Sequence, residues 1–192
     1  MILLIDNYDG CVYNLYQLAG SAAPGEEIRI VKNDRITPEE AKALHPGHVI
    51  LSGGAVSPEH AGNDMALVRE LAVQVPILGV CLGMRVICAA YGAQESPLTE
   101  PVQGRRSEIC VERKSPLFAG MTERFTAARY QSTTVAADQI HAPLCITARA
   151  EDDHAVMAVE HETLPVYGVQ FHPESFMTEY GEVLMRNFLQ IK

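Results

Sequence analysis

The chain has 192 residues, 47% hydrophobic and 20% charged, with 24 acidic side chains against 15 basic ones and a net charge of −9. That length and mix describe a soluble globule with a sizeable core, expected as a single domain over residues 1–192. An acidic surface repels nucleic acid and anionic membranes, so neither is expected as a partner.

Chemistry-bearing side chains narrow the class further. Cys11, Cys81, Cys88, Cys110 and Cys145 show no C-x-x-C or Cys/His ligand spacing, so no metal site is expected. An odd, unpaired set suits a reducing cytoplasm. Met1 leads straight into Ile2–Ile5, a run too short for a signal segment or a membrane span.

In chain order, Met1–Asp6 is predicted as a buried strand, Cys11–Ala19 as a helix and Glu27–Asn33 as a strand. Pro38–Leu44 is predicted helical, His48–Ser52 extended and Asn63–Val73 an amphipathic helix. Ile77–Val80 is a strand, and a helix closed by Gly92 follows Cys81. From Gln94 to Gln170 the pattern turns to short β-like runs such as Glu108–Arg113, Arg124–Ala127 and Val156–Glu160, and Tyr180–Leu189 is a last helix. Short apolar strands alternating with helices imply an α/β fold: a mainly parallel central sheet, helices on both faces, and a smaller β-rich segment. Sites in such sheets lie beyond the carboxyl ends of the strands, where Asp9, Gly54 and Cys81 all fall.

Two motifs carry the chemistry. Gly79-Val80-Cys81-Leu82-Gly83 joins a strand to a helix as a G-x-nucleophile-x-G elbow, with sulfur in place of the more usual oxygen. Glycines leave room for the sharp turn, and the following helix N-terminus favours a thiolate. A cysteine in an apolar run is ordinarily a small buried hydrophobe, and a lone His-Pro ordinarily ends a strand. Here His172 and Glu174, two apart in extended chain, face the same side and supply a base and its orienter.

Val80-Cys81-Leu82-Gly83 and Gly168-Val169-Gln170-Phe171-His172-Pro173-Glu174-Ser175 resemble the two hallmark motifs of class I glutamine amidotransferases. Ile5-Asp6-Asn7-Tyr8-Asp9 with Tyr13-Asn14-Leu15 resembles the chorismate-using branch, the glutaminase subunits of anthranilate synthase and aminodeoxychorismate synthase. Smaller matches are Leu51-Ser52-Gly53-Gly54, Gln103-Gly104-Arg105 with Ser107, and Arg129-Tyr130-Gln131-Ser132. The resemblance implies a Cys81 nucleophile attacking the glutamine amide, a His172 base oriented by Glu174, and an oxyanion hole from the N–H groups of Gly54 and Leu82. It implies no cofactor in this chain. As partner it implies a larger chorismate-binding synthase subunit, aminating to anthranilate first and aminodeoxychorismate second. A standalone γ-glutamyl cysteine hydrolase and a non-catalytic scaffold subunit are the alternative readings.

Three stretches depart from the family pattern. Gly53-Gly54-Ala55-Val56-Ser57-Pro58 lacks the usual alternation of proline and glycine, which is expected to loosen the loop carrying Gly54. Met84-Arg85 stands where the family has a substrate-contacting glutamine. Arg85 either borders the glutamine pocket, pairing with the substrate carboxylate or repelling its ammonium group, or swings to solvent. Within the pocket, repulsion is the expectation, so that Arg85→Gln would tighten glutamine binding. Tyr130-Gln131-Ser132 replaces Tyr-His-Ser, with Ser132 and Thr133 left to meet the amino-acid end of the substrate.

Overall fold

In the computed structural model, which describes residues 1–192, strands and helices alternate through the first half of the chain. They are β1 (Ile2–Asp6), α1 (Val12–Ala22), β2 (Ile28–Lys32), α2 (Pro38–Ala43), β3 (His48–Leu51), α3 (Asp64–Leu71), β4 (Ile77–Val80) and α4 (Leu82–Ala90). Then come β5 (Glu95–Val111), β6 (Arg124–Val135), β7 (Leu144–Ala150), β8 (Val156–His161), β9 (Val166–Val169) and α5 (Gly181–Gln190). All nine strands form one mixed sheet in the order β2-β1-β3-β4-β9-β8-β7-β5-β6. Its first five strands are parallel, and every pairing beyond β9 is antiparallel.

Side-chain alternation explains why the parallel half is covered on both faces. Leu3, Ile5, Val49 and Leu51 point to one core shared with Leu67 and Leu71 of α3 and Val86 and Ile87 of α4. Ile2, Leu4, Ile50 and Val80 point to the other, packed on Val12 and Leu15 of α1 and Leu184 and Phe188 of α5. Each such side chain, fully removed from water, contributes about 1.5–3 kcal/mol. Local signals agree with the packing at α2, where Thr37 and Glu40 close a reciprocal capping box and Pro38 occupies the first turn.

The β-rich segment differs from the short runs expected. β5 extends over 17 residues and pairs with β6 through register shifts at Pro97/Val102 and Gln103/Arg105. Prolines and bulges break the alternation that would reveal so long a strand. β7 and β9 are further strands that the sequence pattern did not reveal. β9 matters most for function: it lies parallel beside β4 with Val80 opposite Val169. Cys81 and the Gln170–His172 segment therefore leave the sheet at the same edge, as do Asn7–Asp9 after β1 and Ser52–Gly54 after β3.

Candidate active site

Cys81 caps α4 with φ +53° and ψ −104°, a conformation that costs on the order of 1–3 kcal/mol and holds its side chain at the carboxyl end of the sheet. The strain is held from both sides. The Cys81 N–H donates to Val169 O at 2.8 Å, and the Arg85 N–H donates to Cys81 O at 3.3 Å. A Cβ on Gly83 would lie 2.5 Å from Leu51 O, so this position accepts nothing larger.

His172 is placed by its own N–H, which donates to Ala128 O at 3.0 Å, and by Thr178 Oγ1, which donates to His172 O at 2.6 Å. Its Nδ1 lies 2.5 Å from Glu174 Oε1, and the Glu174 side chain is buried. That contact fixes the proton on Nδ1 and leaves Nε2, buried and without a hydrogen-bond partner, for exchange with the sulfur. The Tyr130 ring meets the imidazole edge to face at 5.1 Å. Burial pushes the Cys81 thiol up, but the adjoining His172 ring and the Arg85 guanidinium outweigh it and hold the thiol below its ordinary range. Burial likewise disfavours the imidazolium, while Cys81 and Glu174 together raise His172 well above its usual value. The two shifts run in the directions that favour proton transfer from the Cys81 sulfur to His172.

Cys81, His172 and Tyr130 face a cavity of about 440 Å³, also lined by Gly54, Arg85, Ser132 and Thr133. Six of the sequence-derived candidates thus share one cavity; Glu174 reaches it through His172, and Leu82 opens α4 next to Cys81 with its side chain beside Gly54. The N–H of Gly54 makes no hydrogen bond within the chain, and Leu82 lies in the first helical turn, whose N–H groups lack intrahelical acceptors. Gly54 thus lines the cavity with a free N–H, the kind of donor that a developing oxyanion needs. A Cβ on Gly54 would meet Leu82 Cδ2 at 2.7 Å and Asn7 O at 2.9 Å.

The loop bearing Gly54 is anchored without the missing prolines. Asn7 Nδ2 donates to Ser52 O at 3.0 Å, the Asn7 N–H donates to Ser52 Oγ at 2.9 Å, and Ser52 Oγ donates to Gly53 O at 3.0 Å. Beyond these anchors Ala55 and Val56 are exposed.

Arg85 is buried and borders the cavity, which overturns the solvent-facing alternative. Its Nη1 donates to Glu95 and, at 2.6 Å, to Thr133 Oγ1. Glu95 offsets the charge with which Arg85 would repel a substrate ammonium. Glu95 had no signal in the sequence, since nothing local links it to Arg85. Arg129, fully buried, has a structural role that its motif alone did not disclose. It pairs with Asp152 at 3.1 Å and Asp153 at 2.7 Å and donates to Gln131 Oε1 at 3.2 Å, bracing the strand that carries Ser132. Asp9 also lines the cavity; its Oδ1 accepts from the Cys11 N–H at 3.0 Å, and burial raises its pKa. Away from the site, Glu108, Cys110 and Glu151 form a grouping with metal-compatible spacing, but it is exposed and already holds Arg124. No helix is long and apolar enough to cross a membrane.

Comparison with known proteins gives a concordant picture. The family described as glutamine amidotransferase class-I matches residues 3–191. The bifunctional protein TrpGD of Thermotoga maritima is 40% identical over 191 residues, covering 100% of this chain and 32% of that protein, so this chain spans about a third of its length. The aminodeoxychorismate/anthranilate synthase component 2 of Bacillus subtilis is 37% identical over 190 residues, covering 99% of this chain and 96% of that one. The crystal structure of a candidate GMP synthase subunit from Thermoplasma acidophilum superposes with a TM-score of 0.86 at 24% identity, covering 98% of this chain and 91% of that chain, a likeness of fold alone.

Proposed function

The chain belongs to the class I glutamine amidotransferase family, and from that premise we propose that it hydrolyses glutamine through a Cys81 thioester and delivers the ammonia to a larger, chorismate-aminating synthase subunit. The observation that carries the reading is the buried Cys81–His172–Glu174 constellation at the floor of an open cavity.

The Cys81 thiolate attacks the side-chain amide carbon of glutamine, and the oxygen gathers negative charge opposite the N–H groups of Gly54 and Leu82. His172 gives its Nε2 proton to the departing nitrogen, so ammonia leaves and a glutamyl thioester remains. Water then adds to the thioester as His172 takes a proton back, and the C–S bond breaks to release glutamate and restore the thiolate. Glu174 holds the ring in one tautomer and orientation throughout. The steps call on no metal or cofactor, because sulfur supplies the nucleophile and backbone donors the electrophilic assistance. Ser132, Thr133 and Arg85 line the wall that would meet the amino-acid end of glutamine.

The synthase partner rests on what the Bacillus subtilis relative is called and on the surface around the cavity. Tyr8 and Val56 at the cavity, Tyr13 on α1 and Phe176 after the His172 motif are 60%, 41%, 70% and 93% exposed and are available to a partner. Anthranilate is the first choice of product and aminodeoxychorismate the second. The test mixes the chain with a chorismate-binding synthase and compares glutamine with ammonium salts as nitrogen source. Glutamine should support amination with wild-type chain and fail with Cys81→Ser, while ammonium supports both. Glutamine hydrolysis without any gain in amination would favour the standalone hydrolase, and no hydrolysis in either setting the scaffold.

A further inference from the structure

Gln170 follows β9 immediately, opposite Cys81 across the parallel β4–β9 pair, and its side chain has no solvent exposure. Its Nε2 donates to Cys81 Sγ at 3.4 Å, within the range of a hydrogen bond to sulfur. Its Oε1 is buried and has no partner at all. The backbone of the residue is satisfied separately, the Gln170 N–H donating to Met157 O at 2.8 Å, so the side chain is not needed to complete the ladder.

An unpartnered buried acceptor is costly, and an apolar side chain of the same size would avoid it. Retaining the amide makes sense only through its donor end. The orientation is also the one a thiolate selects: the amide presents hydrogen to sulfur and turns its oxygen away, whereas the reverse would set two electron-rich atoms together. We propose that Gln170 is a catalytic residue that stabilises the Cys81 thiolate, both before it attacks and when the electron pair of the breaking C–S bond returns to sulfur. His172 cycles between donor and acceptor during turnover, but Gln170 is a donor at every stage. The inference rests on Cys81 being the nucleophile. The other groups that act on the sulfur are His172, Arg85 and Asp9, and Cys11 and Glu174 complete the titratable surroundings.

The test measures the rate of Cys81 alkylation by iodoacetamide against pH in wild-type chain and in Gln170→Met, which keeps the volume and removes the donor. The inflection should rise by about one pH unit, and the rate at pH values below the wild-type inflection should fall roughly tenfold, the size of one charge-assisted hydrogen bond. An unchanged profile in a folded variant overturns the proposal. Should Gln170→Met fail to fold, the side-chain amide resonance of Gln170 in wild-type chain decides instead. It should titrate with the alkylation inflection and lose that transition in Cys81→Ser, and a flat response refutes the contact. Labelling of wild-type Cys81 by a glutamine-like electrophile keeps the two readings apart. If it fails, the nucleophile assignment falls; if it succeeds while both tests above are flat, only the role of Gln170 falls.

Discussion

Gly79 and Gly83 touch across the turn that presents Cys81: a Cβ on Gly79 would lie 2.3 Å from the carbonyl carbon of Gly83 and 2.4 Å from its oxygen. Both obstacles are backbone, so neither can rotate away. Gly79→Ala should therefore force β4 and α4 apart, costing about 3 kcal/mol or more and removing glutaminase activity. Gly10→Ala is the control, because nothing lies within 4 Å of a Cβ there. Urea unfolding of the two variants checks the contrast.

The oxyanion side has a parallel constraint. Gly54→Ala would press on the Asn7 backbone as well as on Leu82, so the Gly54 N–H should be displaced from the cavity. Loss of one such donor costs about 100- to 1000-fold in turnover. Glutamine kcat should fall by that factor while Cys81 alkylation, which needs no oxyanion donor, stays near the wild-type rate.

How much of this was legible in the sequence depended on distance along the chain. The elbow glycines and the His172–Glu174 pair are local patterns, and each lies where its spacing implied, as does the helix that begins at Pro38. Partnerships between remote residues were not legible. Arg85 meets Glu95 from a neighbouring element, Arg129 meets Asp152 and Asp153 across a turn, and Gln170 reaches Cys81 only because β9 inserts beside β4. β5 was hidden for a different reason: its bulges and exposed polar residues erase the period-two signal.

Arg85 and Glu95 should behave as a unit. Arg85→Gln leaves a largely buried carboxylate uncompensated, at a cost of about 3 kcal/mol, whereas Arg85→Gln with Glu95→Gln should recover most of the loss. A double variant no more stable than Arg85→Gln would show that the pair is not coupled. Thermal unfolding of the single and double variants measures the coupling.

Asp64 gives the fold a dependence on pH. Both its carboxylate oxygens are buried without partners, and burial pushes its pKa up to about 7 from 3.8. The folded chain thus keeps a proton that the unfolded chain releases, so the stability Asp64 contributes is full below pH 3.8 and lost as pH rises to about 7. The loss proceeds at up to roughly 1.4 kcal/mol per pH unit. Asp64→Asn should remove this slope, and its stability relative to wild type should rise with pH across that window. Unfolding free energies that keep the same pH slope in the variant would contradict the assignment.

The thiol titrations should separate the cysteines. Cys81 is held below the ordinary thiol value of 9.0, whereas burial pushes Cys88 up to about 12. Alkylation of Cys81 should therefore proceed near neutral pH while Cys88 stays inert. In His172→Asn the Cys81 inflection should move upward, because burial then acts with less opposition.

The most direct test of the glutaminase chemistry is intact and peptide mass spectrometry after exposure to a glutamine-mimicking electrophile, with and without competing glutamine. A single adduct on Cys81, suppressed by glutamine, is the expected result. Adducts spread over Cys11, Cys110 and Cys145, or labelling of Cys81 that glutamine does not slow, would contradict it.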